Sequence, residues 1–324
     1  SLTRGIGELL RLLDPGLSDL VRTPQAMLYL CAGILVGFAD GTGYLMTLSN
    51  CVKWFPERKG LISACSIGAY GLGSLGFKYI NLLLLSSNGL ETTFQLWGLI
   101  AMSMVLVGGM LMKDAPQQAS AVQQSENRDF TLAEAMRKPQ YWMLALMFLT
   151  ACMSGLYVIG VAKDIGEKMV GLPAVVAANA VAIIAMANLG GRLVLGILSD
   201  KMSRIRVIII AQLITLAGMA LLLFVPLNAN LFFVAVACVA FSFGGTISVY
   251  PSLVSDFFGL NNLTKNYGVI YLGFGLGSII GSIVASLFGG FMATFNLILV
   301  LLVVALVLSL TIRLPAPVAA VDRA

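Results

Sequence analysis

The sequence predicts an all-α polytopic membrane protein, and its composition is the first observation that does so. Of the 324 residues, 59% are hydrophobic and 11% are charged, and the mean hydropathy is +0.94. Soluble domains carry about 25% charged residues. The second observation is a series of long apolar stretches, and the third is that Lys and Arg are concentrated between them.

Nine apolar stretches are long enough to cross a bilayer. The hydrocarbon core is about 30 Å thick, which requires roughly 20 residues of helix. We interpret all nine as helices, because lipid offers no partner to an unpaired backbone. They are residues 25–52, 60–85, 91–112, 139–162, 172–199, 205–226, 231–258, 267–289 and 291–312.

The cations between the stretches predict the orientation of the chain. Every second connection is cationic, and the cations are Lys53, Arg58 and Lys59, then Lys113, Arg128, Arg137 and Lys138, then Lys201, Arg204 and Arg206, then Lys265, then Arg313 and Arg323. The connections SSNGLETT, PLNAN and GGFMAT have no cation, and AKDIGEKMVGLP is balanced. By the positive-inside rule, the odd-numbered spans end in the cytoplasm. This also means that the net charge of +5 marks cytoplasmic loops rather than a nucleic-acid surface.

An internal repeat relates the two halves of the chain. The motif Tyr70-Gly-Leu-Gly-Ser74 recurs 204 residues later as Phe274-Gly-Leu-Gly-Ser278, and Gly41-Thr42 recurs at the same offset as Gly245-Thr246. Parallel repeats of this kind build many transporters. Only a polar segment precedes the first copy, whereas three spans precede the second, so the first half would begin about 65 residues before Ser1. We therefore expect a twelve-helix fold of which nine helices are present.

The predicted domain organisation follows from the spans and the repeat. It comprises a polar leader that we interpret as interfacial or non-native (1–24), an incomplete N-terminal bundle of three helices (25–112), a cytoplasmic linker (113–138), a complete C-terminal bundle of six helices (139–312) and a cytoplasmic tail (313–324). Within the linker, Thr131-Leu-Ala-Glu134 has the pattern of a capping box and predicts a short helix that ends before Pro139.

The composition excludes several kinds of chemistry. The chain has no histidine, which argues against histidine-metal sites and Ser/His catalysis. The five cysteines form no C-x-x-C pair and are interpreted as small buried residues. An aspartyl intramembrane protease needs two facing aspartates, and we expect Asp40 to have no intramembrane partner. We expect no enzymatic activity, no cofactor and no metal.

Arg192 is the most informative charged residue. It lies eight residues before Asp200, which places it about 12 Å above the cytoplasmic loop. A cation in hydrocarbon costs about 2.5–3.5 kcal/mol on insertion scales, and a guanidinium grips a carboxylate with two parallel hydrogen bonds. Together with Asn188, one turn earlier, Arg192 is expected to bind a carboxylate substrate. The alternative is an arginine that extends to the inner surface or pairs with Asp200.

Asp40 is a candidate for proton coupling. It lies about 18 Å from the cytoplasmic end of its helix, near the middle of the bilayer, where a carboxyl group can carry a proton at neutral pH. The alternative is a structural aspartate that bonds to neighbouring hydroxyl groups or to Lys78. Tyr70 and Phe274, matched by the repeat, are expected either to line a central cavity or simply to pack.

Four segments of the sequence carry a family resemblance. Asn50–Ile80, Lys138–Ile165 and Pro251–Ser282 resemble the oxalate/formate antiporter family of the major facilitator superfamily. The loop 196–206 resembles the superfamily signature G-x-x-x-D-[RK]-x-G-[RK]-x-[RK], with Ser203 at the second glycine position. The resemblance implies a twelve-helix fold that moves small carboxylates across the inner membrane of a bacterial cell, by exchange or coupled to protons.

Two positions carry over from this family. Arg192 falls where members that bind oxalate have a substrate-gripping arginine. Their partner lysine follows a Y-G-x-x-Y-x-x-K pattern, which here reads Tyr267-Gly-x-x-Tyr271-x-x-Phe274. A single fixed cation suits a monocarboxylate such as pyruvate, because a second carboxylate would have no partner in a cavity of low dielectric constant.

We therefore predict a monomeric, proton-coupled secondary transporter of small monocarboxylates whose partners are the anion, protons and the lipid bilayer. The predicted substrate residues are Arg192, Asn188, Tyr271, Tyr70 and Phe274, the proton carrier is Asp40, and the cytoplasmic gate comprises Gly196, Asp200, Lys201, Arg204 and Arg206. Three alternatives stay open: an oxalate/formate-type anion exchanger, a membrane sensor that binds the ligand without moving it, and a chain that inserts without transporting.

Overall fold

The computed structural model describes residues 29–115, 129–288 and 290–316, and within these ranges the chain forms helices and no strand. A π-helical segment, Tyr29–Val36, leads into the first α-helix. In chain order the α-helices are α1 (Gly37–Trp54), α2 (Lys59–Leu111), α3 (Leu132–Met136), α4 (Pro139–Lys168), α5 (Asn179–Lys201), α6 (Arg204–Phe224), α7 (Ala229–Phe258), α8 (Leu263–Phe288) and α9 (Phe291–Thr311). Short helical turns, Pro56–Arg58 and Ala174–Ala177, precede α2 and α5.

Seven helical segments of the described residues are long and apolar enough to cross a membrane, which confirms the predicted class. They are Gly89–Leu111, Pro139–Lys168, Ala174–Lys201, Arg204–Phe224, Ala229–Phe258, Leu263–Leu287 and Phe291–Thr311. The predicted spans 25–52 and 60–85 are also helical where they are described. They are not among these seven segments.

Helix α2 reverses direction at Gly89. This residue has φ 72° and ψ 177°, a conformation that glycine adopts without the steric cost of a Cβ atom. The rings of Phe77 and Trp97 lie 4.5 Å apart, although a straight helix would separate them by about 30 Å. Gly89 therefore divides α2 into two arms, 59–88 and Gly89–Leu111, at the predicted boundary between two spans.

Side chains fix the ends of two other helices. The capping box that the sequence predicts is present: the Thr131 amide donates to Glu134 Oε2 at 2.7 Å, and the Glu134 amide donates to Thr131 Oγ1 at 3.4 Å. Helix α4 continues to Lys168, six residues beyond the predicted end. Its last turns carry two ion pairs at i,i+4 spacing, which favour helix over loop.

The end of the linker docks on the helices that follow it. The Phe130 amide donates to the Phe258 carbonyl at 3.0 Å, and the Asn266 side-chain amide donates to the Phe130 carbonyl at 3.1 Å. Phe130 and Asn266 are fully buried. The end of α7 and the start of α8 are thus held together by a residue that lies before α3.

Helices α4 to α9 share one apolar core, to which every one of the six contributes buried residues. Contacts divide the chain into a unit of residues 1–47 and a unit of residues 48–324. The described part of the first unit is the π-helical segment with the start of α1, and the second unit holds α2 and all later helices. The predicted division into leader, incomplete bundle, linker, complete bundle and tail stays a prediction.

Candidate functional site

The Arg192 guanidinium reaches from α5 to α2. Its Nε donates to Asn188 Oδ1 at 2.9 Å, and its Nη1 donates to the main-chain carbonyl of Ile67. The side chain is half-buried, whereas Ile67 is buried. The sequence placed Asn188 one turn before Arg192 on the same face, and the structure joins the two residues directly. The guanidinium is therefore directed at another helix of the protein.

Asn188 is held in place by the close packing of α5 on α7. Its Nδ2 donates to the Ala240 carbonyl at 3.2 Å, which leaves Oδ1 to accept from Arg192. Two glycines permit this approach: a Cβ atom on Gly191 would lie 1.9 Å from the Phe241 carbonyl oxygen, and one on Gly244 would lie 2.2 Å from the Asn188 carbonyl oxygen. The orientation of the arginine thus depends on a glycine-lined helix contact.

Tyr271 and Phe274 belong to a group of aromatic rings between α4, α7 and α8. Their rings are stacked, with centroids 5.4 Å apart and an interplanar angle of 21°. Tyr267 and Phe148 lie 5.5 Å and 6.0 Å from Tyr271, and Phe243 lies 6.3 Å from Phe274. Two of the five predicted substrate residues are therefore in direct contact in this group.

Helix α7 joins the aromatic group to the Arg192–Asn188 pair. Phe243 contacts Phe274, and the next residue, Gly244, packs against Asn188. The Tyr70 side chain lies outside the described residues, although its backbone is part of α2. Its predicted place in the cavity wall stays a prediction.

Asp40 lies in the first turn of α1 and is exposed. It belongs to the unit of residues 1–47, whereas the other candidate residues belong to the unit of residues 48–324. The side chain of Lys78, which the sequence offered as an alternative partner, lies outside the described residues. The role of Asp40 as a proton carrier stays a prediction.

Asp200 caps the start of α2. Its Oδ1 accepts the Gly60 amide at 2.8 Å, and its Oδ2 accepts the Leu61 amide at 2.8 Å. The first amides of a helix have no partner within the helix and carry a partial positive charge, which favours a carboxylate. Asp200, at the end of α5, thus binds the start of a helix that lies 140 residues earlier in the sequence.

Two glycines bring α5 and α2 into backbone contact. A Cβ atom on Gly60 would lie 2.0 Å from Ser199 Oγ and 2.4 Å from the Gly196 carbonyl oxygen, and a Cβ atom on Gly196 would lie 2.6 Å from Ala64 Cβ. Separations under 3.0 Å are not tolerated without movement. We call this contact the α2–α5 seam; its members are Gly60, Leu61, Ala64 and Ile67 of α2 and Arg192, Gly196, Ser199 and Asp200 of α5.

Charged side chains extend the seam to α7. Arg204 lies 3.4 Å from Asp200 Oδ1 and forms a second, short ion pair with Asp256. Asp256 also lies 3.5 Å from Lys59 Nζ, which donates to Ser255 Oγ at 3.2 Å. Burial lowers the pKa of the Lys59 ammonium group from its ordinary value, and the Asp256 carboxylate opposes that shift. Two cations and two carboxylates therefore balance in a largely buried network.

The structure brings together three of the predicted gate residues: Gly196, Asp200 and Arg204. Lys201 and Arg206 have exposed side chains, and the polar network of the described residues does not include them. Their predicted role in the gate stays a prediction.

The sequence interpretation missed Lys59 and Asp256 as functional candidates. The sequence contains a signal for each residue. Asp256 lies in the last turn of one predicted span, and Lys59 lies directly before another predicted span, on the same predicted side of the membrane. Within the described ranges, no group of three or more Cys, Asp or Glu residues could hold a metal ion.

The chain matches the family model described as Major Facilitator Superfamily over residues 15–258 and again over residues 161–324. An uncharacterized MFS-type transporter of Escherichia coli, YhjX, is 70% identical over 254 residues, which are 78% of this chain and 63% of that protein. The oxalate:formate antiporter of Oxalobacter formigenes is 29% identical over 246 residues, which are 75% of this chain and 58% of that protein. These matches confirm the resemblance that the sequence predicts.

Solved structures show the same fold. Two crystal structures of the E. coli fucose:proton symporter FucP, one of a variant and one in the outward conformation, match with TM-scores of 0.62 and 0.60 at 15% identity. The matches cover 80% and 78% of this chain and 71% and 68% of those chains. The chain spans about six-tenths of the length of the two curated relatives above.

Proposed function

Because the chain belongs to the Major Facilitator Superfamily, we propose that it is a secondary active transporter of small monocarboxylates such as pyruvate, coupled to protons and working by alternating access. It is a multi-pass protein of the bacterial inner membrane. The observation that carries the proposal is the position of the Arg192 guanidinium, which lies between α5 and α2 and is held there by Asn188 and the Ile67 carbonyl.

The chemistry of the candidate site favours one small organic anion. A guanidinium stays charged at all physiological pH values and binds a carboxylate through two parallel hydrogen bonds. Tyr271 and Phe274 present stacked aromatic faces in the same bundle, suited to the apolar end of a small acid. A dicarboxylate would need a second cation, and Phe274 offers none. Tyr70 is proposed as a further wall of the cavity.

The α2–α5 seam supports alternating access. It joins a helix of the first half to a helix of the second half through the Asp200 cap and the close approach of Gly60 and Gly196. We propose that this seam is the closed cytoplasmic gate, with Arg204 as its ion-pair partner and Lys201 and Arg206 as exposed cations beside it. Opening the gate would expose Arg192 to the cytoplasm.

A second candidate function is anion exchange. It is favoured by the 29% identity to a protein named as an oxalate:formate antiporter. An exchanger accelerates uptake when a trapped anion is present on the other side and moves little without it. Counterflow of labelled pyruvate against internal formate or oxalate separates this function from proton coupling. Binding without any counterflow would indicate a sensor instead.

The test of the arginine is Arg192→Lys in proteoliposomes. Lysine keeps the charge but cannot form two parallel hydrogen bonds, and the loss of one charge-assisted bond costs about 1.5–3 kcal/mol. Uptake of labelled pyruvate at low concentration should fall by roughly 10- to 150-fold. Competition by formate, lactate and oxalate defines the substrate class. Uptake equal to that of the parent protein would remove Arg192 from the proposed site.

The test of the proton carrier is Asp40→Asn, which cannot change its charge. We expect uptake driven by an imposed pH gradient to be lost while counterflow at equal pH continues, because exchange of loaded carrier needs no net proton movement. Gradient-driven uptake that survives in Asp40→Asn would show that the proton is carried elsewhere.

A further inference from the structure

The arginine proposed to bind the substrate is also the innermost member of the α2–α5 seam. Arg192, Gly196 and Asp200 of α5 are spaced four residues apart, and Gly60, Ala64 and Ile67 of α2 are spaced four and three residues apart, so each set lies on one face of its helix. From the helix end inward, the contacts pair Asp200 with Gly60, Gly196 with Ala64 and Arg192 with Ile67. In the last of these contacts, the Arg192 side chain could bind another partner instead of the Ile67 carbonyl.

Each edge of the Arg192 guanidinium that could take a carboxylate already holds a bond. One edge presents Nε and Nη2, and Nε donates to Asn188 Oδ1 at 2.9 Å. The other edge presents Nη1 and Nη2, and Nη1 donates to the Ile67 carbonyl. Two parallel bonds to a carboxylate therefore require the guanidinium to change at least one of these two contacts.

The two contacts differ in how firmly they are held. Asn188 is on the same helix as Arg192, one turn away, and its own amide is anchored to the Ala240 carbonyl on α7. The Ile67 carbonyl is on α2, across the seam. A carboxylate carries a full negative charge where a carbonyl carries a partial one, so Coulomb attraction favours the carboxylate in a site of low dielectric constant.

We propose that the substrate carboxylate and the Ile67 carbonyl compete for the Arg192 guanidinium, so that substrate binding releases the innermost contact of the α2–α5 seam. This inference rests on the proposed function, because it takes Arg192 as the substrate's partner. The empty carrier keeps its seam closed through the same group that binds cargo. The loaded carrier loses that contact and opens its cytoplasmic gate more readily, whereas the empty carrier favours the closed gate.

The experiment measures how accessible the seam is from the cytoplasm. Ser63 is fully buried, with its Oγ 3.4 Å from Ser252 Oγ of α7, and Ser63→Cys places a thiol on α2 between the seam residues Leu61 and Ala64. The reporter is built in a chain whose five native cysteines are changed to serine. In inside-out vesicles, the rate of reaction with a membrane-impermeant maleimide is followed with and without saturating pyruvate.

We expect pyruvate to raise the reaction rate of the reporter at least about threefold, a shift in the seam equilibrium of roughly 0.7 kcal/mol. Arg192→Met removes the donors and should raise the rate without pyruvate, after which pyruvate has no further effect. The control is Lys265→Met, which also replaces a cation by methionine but at an exposed position outside the seam. It should leave the reaction rate and the effect of pyruvate on that rate unchanged. If Arg192→Met does not fold, Arg192→Lys should show a smaller rise in the same direction.

The outcomes separate the inference from the proposed function. If pyruvate raises the rate in the parent reporter but Arg192→Met reacts at the parent's rate without pyruvate, the competition is overturned while pyruvate binding stands. If Arg192→Met reacts faster but pyruvate has no effect on the parent, pyruvate is not the ligand and both the proposed function and the competition fail.

Discussion

Asp256 connects two cations that would otherwise repel each other. Lys59 lies 3.5 Å from its Oδ1, and Arg204 pairs with its Oδ2. The Lys59 side chain is only 5% exposed, whereas that of Asp256 is 32% exposed. A carboxylate in this position offsets the desolvation of a buried ammonium group, so its removal leaves an uncompensated charge.

At the residue scale we predict that Asp256→Asn lowers the stability of the protein in detergent by about 1–3 kcal/mol, between the values for exposed and fully buried ion pairs. Adding Lys59→Met should recover part of the loss, because the unpaired cation is then gone. The midpoint of thermal unfolding, followed by tryptophan fluorescence, measures both effects. The matched control is Asp164→Asn, in an exposed pair, with an expected change within about 0.5 kcal/mol. A double variant less stable than Asp256→Asn would contradict this account.

Single residues were predictable where their chemistry conflicts with their surroundings. Arg192 could be singled out because a permanent cation inside an apolar helix needs a reason, and Asp200 because its loop matches a signature. Their partners were not predictable. The Ile67 carbonyl and the amides of Gly60 and Leu61 are backbone groups, and a sequence does not distinguish one backbone group from another.

Among the elements, α2 forms one side of the proposed cytoplasmic gate. Its first arm presents Gly60 and Ala64 to α5, and its second arm, after the reversal at Gly89, carries glycines that have no close neighbour. A close contact therefore requires glycine in the first arm of α2, whereas no such contact requires it in the second arm. At Gly60 the missing Cβ atom permits contact, whereas at Gly98 nothing lies within 4 Å of where a Cβ atom would stand.

We predict that Gly60→Ala prevents full closure of the α2–α5 seam, because the new methyl group would overlap Ser199 Oγ and the Gly196 carbonyl oxygen. The amides of Gly60 and Leu61 should then exchange with solvent deuterium at least about tenfold faster, since a bond to a charged acceptor worth about 1.5–3 kcal/mol is weakened. Hydrogen exchange read by mass spectrometry on peptides that contain these residues measures the change. Gly98→Ala, in the other arm of α2, is the control and should leave that exchange rate as it is.

The apolar patterns predicted the helices well, because a bilayer enforces length and composition. They predicted the ends less well. Helix α4 runs past its apolar stretch since Lys163 to Lys168 form i,i+4 pairs, and the two arms of α2 meet without an intervening loop because Gly89 adopts a positive φ. Both are local effects of a few residues, and a hydropathy average over a whole span does not detect them.

At the scale of the whole molecule, the hydrogen bonds of the described residues that join α2 and the end of α1 to the later helices lie towards the predicted cytoplasmic end. Besides the α2–α5 seam, Ser63 meets Ser252 of α7 with the oxygens 3.4 Å apart, and the Thr264 hydroxyl donates to Ser49 Oγ at 2.8 Å. Alternating access requires that such contacts break in every transport cycle. A covalent link between the halves at this place should therefore stop the cycle.

We predict that the double variant Ser63→Cys, Ser252→Cys loses uptake when it is oxidised and regains it on reduction. The two oxygen atoms are close enough for their sulfur replacements to bond with little movement. Pyruvate uptake into proteoliposomes is measured before and after treatment with a reducing agent. Each single variant serves as a control and should be insensitive to oxidant. Continued uptake by a fully cross-linked protein would mean that this contact does not open during transport.

The repeat predicted two related halves, and this division stays a prediction. What the repeat could not supply is which faces meet. Gly60 and Gly196 determine where α2 meets α5, and Gly191 and Gly244 determine where α5 meets α7, because each allows a backbone approach that any larger residue would block. A sequence rich in glycine, with 34 in all, does not mark which few of them lie at a contact.

The docked linker end has a mechanical consequence. Asn50 and Trp54 donate to the Lys113 carbonyl at 2.8 Å and 3.1 Å, which ties the end of α2 to α1, while Phe130 is fastened to α7 and α8. Lys113 and Phe130 are 17 positions apart in the sequence (130 − 113), which limits the distance between them to about 60 Å. Each end of the linker is therefore fixed to its own set of helices, α1 at one end and α7 with α8 at the other.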